Sequence, residues 1–161
     1  MEEYKKLFKS FFYAFRGIEN YIKNERNMRI HLVCCIYMYS ILIFSGWWTL
    51  SAVQWALIFI GSAVVLAGEL VNTAVENTVD MFTNEKNEYA RRAKDAAAGA
   101  VLVSAIFAVL TGIAVLWQPQ AFNAMFGYFK THILSLAVFV ISLAPATLFI
   151  FFGFGNSENK K

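Results

Sequence analysis

The residue types best suited to chemistry lie in one short segment that directly follows a long apolar stretch. Counted from Glu69, polar residues recur at steps of three, four, seven and eleven, at Asn72, Thr73, Glu76 and Asp80. These steps place the five side chains within one narrow stripe of a helix with about 3.6 residues per turn. A carboxylate at the margin of hydrocarbon is unfavourable unless it is paired, protonated or hydrated, so the stripe is a candidate functional site. The alternative for Glu69 taken alone is a hydrogen bond that only joins two helices.

Acidic side chains that converge repel one another, and a hard cation relieves this repulsion. Mg²⁺ favours a few carboxylates together with substrate phosphates and water, so the stripe predicts Mg²⁺ bound as a nucleotide complex. Basic partners follow at Arg91, Arg92 and Lys94, next to Asp95. Taken by itself, such a cluster more often marks membrane topology than a phosphate clamp. Its alternation with the acids favours the clamp, because phosphoryl transfer needs cations on the phosphate oxygens and acids on the metal.

A third charged segment stands at the entrance to the first long apolar stretch and reads Asn24-Glu25-Arg26-Asn27-Met28-Arg29-Ile30-His31. Arg26 and Arg29 are typical of side chains that anchor a helix end at a membrane surface, and His31 of an interfacial residue. Glu25 does not fit that role beside an anionic leaflet, so we expect it to be a second ligand for the same cation. No G-x-x-x-x-G-K-[ST] sequence occurs, which excludes the usual P-loop phosphate cradle.

The composition indicates that lipid surrounds much of the chain. Of 161 residues, 58% are hydrophobic and only 16% are charged, unlike an ordinary soluble domain. No charged residue occurs from Leu32 to Gly68, from Ala96 to Phe129, or from Thr131 to Ser157. A formal net charge of +3 gives no reason to propose nucleic acid as a partner. Cys34 and Cys35 are adjacent in an apolar run, so we expect packing rather than a disulfide framework or a metal site.

These stretches and their breaks predict an all-α, polytopic membrane helix bundle with an N-terminal amphipathic interfacial helix and three to four transmembrane helices. Apolar residues at three- and four-residue steps, with lysines among them, predict the interfacial helix; a helix packed on a soluble partner is the alternative. The expected elements are the interfacial helix at about 4–22 and crossings at about 30–48, 52–70 extending to 82, 96–117 and 132–152. Residues 1–118 form the expected core and 119–161 an additional C-terminal segment.

The basic residues of the short loops predict the orientation, because such loops resist translocation. They cluster near the N-terminus, between the second and third crossings, and at the C-terminus, whereas the opposite loops offer only Lys130. We therefore expect the N-terminus, the loop after the second crossing and the C-terminus to lie in the cytosol. The residues up to Arg29 carry charges throughout and lack an apolar signal core, so we expect no cleaved leader.

Three separated motifs occur in this order: Asn24-Glu25-Arg26-Asn27, then Glu69-Leu70-Val71-Asn72-Thr73-Ala74-Val75-Glu76 with Asp80, then Arg92-Ala93-Lys94-Asp95-Ala96-Ala97-Ala98-Gly99-Ala100-Val101. Together they resemble the prokaryotic diacylglycerol kinase family. The first motif is similar to the Gram-positive branch, the undecaprenol kinases. The resemblance covers roughly residues 5–118. It implies an ATP- and Mg²⁺-dependent lipid kinase in a bacterial plasma membrane. It also implies a homotrimer of three-span subunits, with active sites that are shared between subunits and face the cytoplasm.

The resemblance also implies roles for individual residues. Glu69 matches the family's catalytic base, which accepts the proton of the lipid hydroxyl. Glu25 and Glu76 match the metal-binding acids. The nucleotide-contacting positions are Tyr13, Arg16, Gly17, Glu25, Asn72, Glu76, Glu85, Lys86, Lys94 and Asp95. Asp80 matches a retained acid whose role stays open.

One expected function and two alternatives to it remain at this point. Undecaprenol is the expected acceptor from the form of the motifs, and diacylglycerol is the alternative, since both present a primary hydroxyl at the interface. A cation or proton transport protein is a remote alternative, because a relay should place ionisable groups along the depth of the membrane, and here they crowd one margin. The family core ends after its third crossing, whereas this chain adds a fourth, whose role the resemblance does not cover.

Overall fold

The computed structural model describes residues 2–83 and 87–153, and within these ranges every regular element is a helix. The helices are α1 (Glu2–Asn24), α2 (Arg26–Phe44), α3 (Ala52–Phe82), α4 (Glu88–Leu116), α5 (Pro119–Thr131) and α6 (Ile133–Phe152). Four of the described helices, α2, α3, α4 and α6, are long and apolar enough to cross a membrane. The expected all-α bundle with three to four crossings is confirmed, with four of the described helices suited to span a membrane.

Helix α1 is amphipathic and none of its residues is buried. Its aromatic side chains Phe8, Phe12 and Phe15 stay largely exposed, as expected when the apolar face of a helix rests on a membrane surface. Near its end, Lys23 donates to the carboxylate of Glu19, and this hydrogen bond lowers the pKa of that exposed group. The helix ends at Asn24, and Glu25, in an extended conformation, turns the chain into α2.

Helix α3 is the centre of the bundle, and α4 packs closely along it. Its start is defined by a capping box in which Ser51 and Gln54 each accept a hydrogen bond from the backbone of the other. Small residues allow the close approach of α4. A Cβ atom at Gly68 would lie 3.7 Å from a methyl group of Val101, and one at Gly61 would lie 3.7 Å from Ala108. The stripe that begins at Glu69 therefore stands beside α4 at a defined height.

Helix α2 contacts α3 and also α6, and the end far from Glu69 is held by aromatic residues. Trp48 Nε1 donates to the carbonyl oxygen of Leu116 at 3.0 Å, beside a small core that includes Leu42. Gly46, with a φ of 68°, turns the chain after α2, a backbone conformation that favours glycine. The helix therefore spans 26–44, where the sequence predicted a crossing at about 30–48.

The segment after α4 forms a short helix that the sequence analysis did not predict. Helix α5 begins at Pro119, whose fixed φ suits the first position of a helix. Its residues Tyr128 and Phe129 pack on Trp47 with ring centroids 5.4 and 5.6 Å away. Helix α6 then returns along α2, so that its last turn lies at the same end of the bundle as α1.

Candidate active site

The first acid of the stripe is buried where α2 passes α3. Glu69 keeps only 5% of its surface exposed, and its Oε1 lies 3.2 Å from Nε2 of His31 on α2. An imidazole with its proton on Nε2 donates to this oxygen and fixes the orientation of the carboxylate. Oε2 accepts no hydrogen bond from the described residues. Glu69 therefore has one oxygen held by the protein and one free to receive a proton.

Two further residues of the stripe are buried next to Glu69. The Thr73 hydroxyl donates to the carbonyl oxygen of Glu69 at 3.1 Å, a bond within the helix. Asn72 Nδ2 donates to Oε1 of Glu76 at 2.9 Å, which joins amide and carboxylate into one unit. Asn72 Oδ1 is buried without a hydrogen-bond partner among the described residues. A buried acceptor left unpaired is unfavourable, and a hard cation or a donor group on a ligand would satisfy it.

The outer end of the stripe is paired with α4. Lys94 Nζ lies 2.5 Å from Oδ1 of Asp80, the acid whose role the resemblance left open. Asp95 pairs with Arg91 at 3.0 Å, and Arg91 also pairs with Glu88 at 2.9 Å. These pairs are largely exposed, so they contribute little to stability. Their cations are therefore available to a phosphate group that approaches from water.

The remaining nucleotide candidates lie on α1 and at its end. Glu25 is half-buried at the start of α2, and its side chain makes no hydrogen bond within the described part of the chain. Tyr13 is 54% exposed with Lys9 Nζ 5.8 Å from its ring centroid, and Arg16 is also exposed. A Cβ atom at Gly17 would meet nothing within 4 Å. Among the described residues, no hydrogen bond or ion pair joins these α1 side chains to the acids of α3.

The donor set of the stripe fits a cation that brings its own ligands. In residues 2–83 and 87–153, no group of three or more His, Cys, Asp and Glu side chains could hold a metal ion alone. Glu76 and Asn72 Oδ1 are adjacent oxygen donors of the kind that such a cation takes, and the side chain of Glu25 makes no hydrogen bond within the described residues. Mg²⁺ typically takes one or two carboxylates and completes its shell with phosphates and water. The candidates Glu85 and Lys86 lie outside the described residues.

An apolar groove of about 400 Å³ runs along the bundle between α2, α3 and α4. The residues that give it room are small or flexible, and they include Cys34, Gly61, Ala105 and Gly112. His31 stands at one end of this groove and contacts Glu69. An apolar chain lying in the groove would therefore bring its polar end to the carboxylate.

Residues 12–116 match the family model described as prokaryotic diacylglycerol kinase. This chain belongs to that family. It is 37% identical over 115 residues to an undecaprenol kinase of Bacillus subtilis, an alignment that covers 70% of this chain and 89% of that protein. It is 37% identical over 111 residues to a diacylglycerol kinase of Synechocystis sp., covering 68% of this chain and 62% of that protein. A diacylglycerol kinase of Escherichia coli is 28% identical over 115 residues, covering 71% and 92%.

Membership in the family confirms the resemblance that the three motifs indicated, as well as the expectation of a membrane-embedded kinase. The Bacillus relative supports the Gram-positive branch. The matched residues contain α2, α3 and α4 with the whole acidic stripe. Helices α5 and α6 follow the end of the matched region, so the fourth crossing is an addition to the family core in this chain.

Sequence reasoning missed His31 as part of the site and treated it as an interfacial residue. The sequence did contain a signal for this contact. His31 lies at the start of the first crossing and Glu69 at the end of the second. Because α2 and α3 are consecutive helices that run in opposite directions, these two ends lie on the same side of the membrane. Residues at such matching heights on adjacent helices are candidates for contact, which the structure shows at 3.2 Å.

Proposed function

We propose that this chain is an ATP-dependent kinase that phosphorylates undecaprenol at its primary hydroxyl. The observation that carries the proposal is the buried carboxylate of Glu69, held by His31 at the end of an apolar groove. A membrane-dissolved alcohol reaches such a group laterally from the lipid, while ATP reaches the exposed cations of α4 from water. Family membership supports a lipid as the acceptor.

The reaction requires removal of one proton and alignment of two oxygens on phosphorus. Oε2 of Glu69 accepts the proton of the lipid hydroxyl while the hydroxyl oxygen forms a bond to the γ-phosphorus of ATP. The bond between the γ-phosphorus and the bridging oxygen breaks, and ADP leaves with the electron pair. Because the transition state of phosphoryl transfer is loose, a weak carboxylate base is sufficient. His31, which lines the groove, holds the other carboxylate oxygen, Oε1, at 3.2 Å.

We assign the cation to Glu76, Asn72 Oδ1 and Glu25, which would hold Mg²⁺ together with the phosphates. When bound there, the ion would neutralise charge on the triphosphate. In this proposal Lys94 contacts a phosphate oxygen, and this contact replaces its exposed ion pair with Asp80. Asp95 and the α1 residues Tyr13, Arg16 and Gly17 complete the nucleotide contacts in this proposal.

Undecaprenol is the proposed acceptor because the Bacillus relative carries that name and aligns over most of its own length. Diacylglycerol is the alternative, since the Synechocystis and Escherichia relatives are named for it. Both alcohols place a hydroxyl on an apolar tail, so the groove accepts either kind of chain. We further propose that the site faces the cytoplasm and that three subunits share their sites.

The proposal is tested by phosphorylation of purified protein in mixed micelles. ATP labelled on the γ-phosphate is supplied with Mg²⁺ and with either undecaprenol or diacylglycerol, and label in the lipid fraction is counted. We expect a higher initial rate with undecaprenol. Glu69→Gln should retain Mg-ATP binding and lose transfer by at least about a hundredfold, because the base is removed.

Glu3→Gln, an exposed acid at the start of α1, is the control and should behave like the unmodified protein. A higher rate with diacylglycerol would make that lipid the acceptor. Absence of label in both lipids would refute the kinase proposal. Full activity of Glu69→Gln would remove the base assignment.

A further inference from the structure

Arg29 is a charged residue that lies almost completely inside the protein. It sits in the first turns of α2 and keeps 5% of its surface exposed. Its Nη1 donates to the carbonyl oxygens of Ile22 at 3.2 Å and Lys23 at 2.9 Å, and its Nε donates to that of Ile150 at 3.0 Å. A membrane anchor would extend its guanidinium to water. This one is directed at backbone carbonyls instead.

The three carbonyl groups belong to two helix ends. Ile22 and Lys23 lie in the last turn of α1, and Ile150 lies in the last turn of α6. Carbonyls in a last turn have no partner within their helix, and they carry the negative end of the helix dipole. A guanidinium has several donors in a fixed planar arrangement, so it can satisfy carbonyls on both helices at once. Arg29 thus joins the ends of α1 and α6 to the start of α2.

The end of α6 meets the same point from the other side. Gly153 follows the last residue of α6 with a φ of +60°, a conformation that favours glycine. A Cβ atom there would lie 3.1 Å from both Arg29 Nη1 and the carbonyl oxygen of Lys23. The backbone of Gly153 therefore lies directly on the junction of α1 and α2, and a larger residue would separate the two helix ends.

Helix α6 is also held along its length, so the contact at Arg29 is part of a longer interface. Within the span, the Tyr37 hydroxyl donates to the carbonyl oxygen of Ser142 at 2.8 Å, and its ring meets Phe139 edge-on at 5.9 Å. All of these α6 residues lie beyond the region 12–116 that matches the family model. The added crossing therefore docks on α2 and ends at the point where the surface helix joins the core.

We propose that α6 is a positioning element for the kinase site and acts through Arg29. By holding the last turn of α1, Arg29 and Gly153 set the direction in which α1 leaves the bundle and the position of Glu25 between the two helices. The inference rests on the proposed function, because α1 carries the nucleotide candidates Tyr13 and Arg16. Arg29 contacts neither nucleotide nor lipid in this proposal and is a positioning residue.

The test compares five variants of the full chain: Arg29→Ala, Arg29→Lys, Gly153→Val, the double variant Arg29→Ala with Gly153→Val, and the control Arg26→Ala. Arg26 is an exposed arginine three residues before Arg29 on the same helix, so its removal changes charge without changing the junction. Hydrogen exchange of the backbone amides in segment 20–28 is measured in lipid nanodiscs. In parallel, KM for Mg-ATP and kcat are measured with the accepted lipid.

We expect Arg29→Ala and Gly153→Val each to accelerate amide exchange at the junction by at least about tenfold. Arg29→Ala removes the charged hydrogen bonds to the helix ends, and the larger side chain that Gly153→Val introduces would push their partners apart. KM for Mg-ATP should rise about tenfold with a much smaller change in kcat, because α1 is displaced while Glu69 and His31 stay in place. Arg29→Lys should restore part of the protection. The double variant should be no worse than either single one, because both act through one contact.

The positioning role is refuted if Arg29→Ala exchanges at the junction like Arg26→Ala, or if Gly153→Val leaves the end of α1 protected. It is also refuted if kcat falls and KM stays constant, since that result places Arg29 in the chemical step. Hydrogen exchange does not depend on turnover. A chain that shows no kinase activity but the expected exchange pattern would reject the proposed function and retain the docking of α6 on α1.

Discussion

Among single side chains, the contact between Glu69 and His31 has the largest chemical consequence. A carboxylate with 5% exposure at the edge of an apolar groove is stable only when hydrogen bonds compensate for lost water. The described residues offer one such bond to the side chain, from His31. The same contact engages Oε1 and leaves Oε2 without a hydrogen bond from the described residues. Stability and reactivity at this position therefore depend on one imidazole.

We predict that His31→Phe lowers kcat by about tenfold to a hundredfold, because a misplaced carboxylate no longer meets the lipid hydroxyl in line with phosphorus. His31→Gln retains a donor and should keep more activity. His132→Phe is the control, since His132 is exposed at the far end and stacks on Tyr128. Initial rates of lipid phosphorylation measure the effect. A His31→Phe enzyme with unchanged kcat would mean that Glu69 needs no orienting partner.

At the level of helices, α3 positions the site because it is packed most closely against its neighbour. Glycines at the contact with α4 remove the side chains that would otherwise separate the two helices. Gly68 immediately precedes Glu69, so the distance between α3 and α4 is fixed beside the stripe. That distance determines how closely Lys94 on α4 approaches the stripe on α3. The ion pair between Lys94 and Asp80 spans the same two helices at their exposed end. The distance between these helices is thus part of the site geometry.

We predict that Gly68→Leu lowers the thermal unfolding midpoint and the catalytic rate together. The larger side chain must displace Val101, and such overpacking costs about 1–3 kcal/mol. Gly68→Ala should be nearly neutral, because its Cβ reaches only an ordinary contact distance of 3.7 Å. Gly127→Leu on α5, where a Cβ atom meets nothing within 4 Å, is the control. Scanning calorimetry in detergent checks the order, and an unaffected Gly68→Leu would contradict close packing at this point.

For the complete bundle, the notable property is that several candidate site residues have no partner within the described part of the chain. Asn72 Oδ1 is buried without a partner, and Glu25 makes no side-chain hydrogen bond within the described residues. Tyr13 and Arg16 on α1 are not linked to the acids of α3 by any hydrogen bond or ion pair there. Ligand atoms and residues from a second subunit would each supply partners for these groups. A homotrimer with shared sites, as the family resemblance implies, would use both.

We predict that two inactive variants restore each other when they are co-expressed. Arg16→Ala and Glu69→Gln should each be nearly inactive as the sole chain. If each site combines α1 of one subunit with α3 of its neighbour, random mixing restores about a quarter of the full activity, since one pairing in four is intact. Sites confined to single chains would give no restoration. Cross-linking of the purified protein, with a trimer expected, reports the assembly separately from activity.

Much of this arrangement was readable from local patterns along the chain. Uncharged stretches of sufficient length predicted the crossings, and the amphipathic pattern predicted α1, because both follow from the repeat of a helix in contact with lipid. The spacing of Glu69, Asn72 and Glu76 predicted a common face, and the structure places Glu69 and Asn72 in the interior and Glu76 half-buried. Helix α5 was not predicted, because a short helix after a proline has no strong periodic signal.

Contacts between residues that are far apart in the sequence could not be predicted from these local patterns. The pairs Glu69–His31, Asp80–Lys94 and Arg29–Ile150 join different helices, and they depend on how far each helix is rotated and shifted against its neighbour. A sequence pattern states which face of a helix is polar, but it does not state the height at which two faces meet. That height follows from small residues at helix contacts and from turns such as Gly46 and Gly153. The sequence by itself therefore determined which residues are the candidate reacting groups. Only the packing of the helices determined which residues they contact.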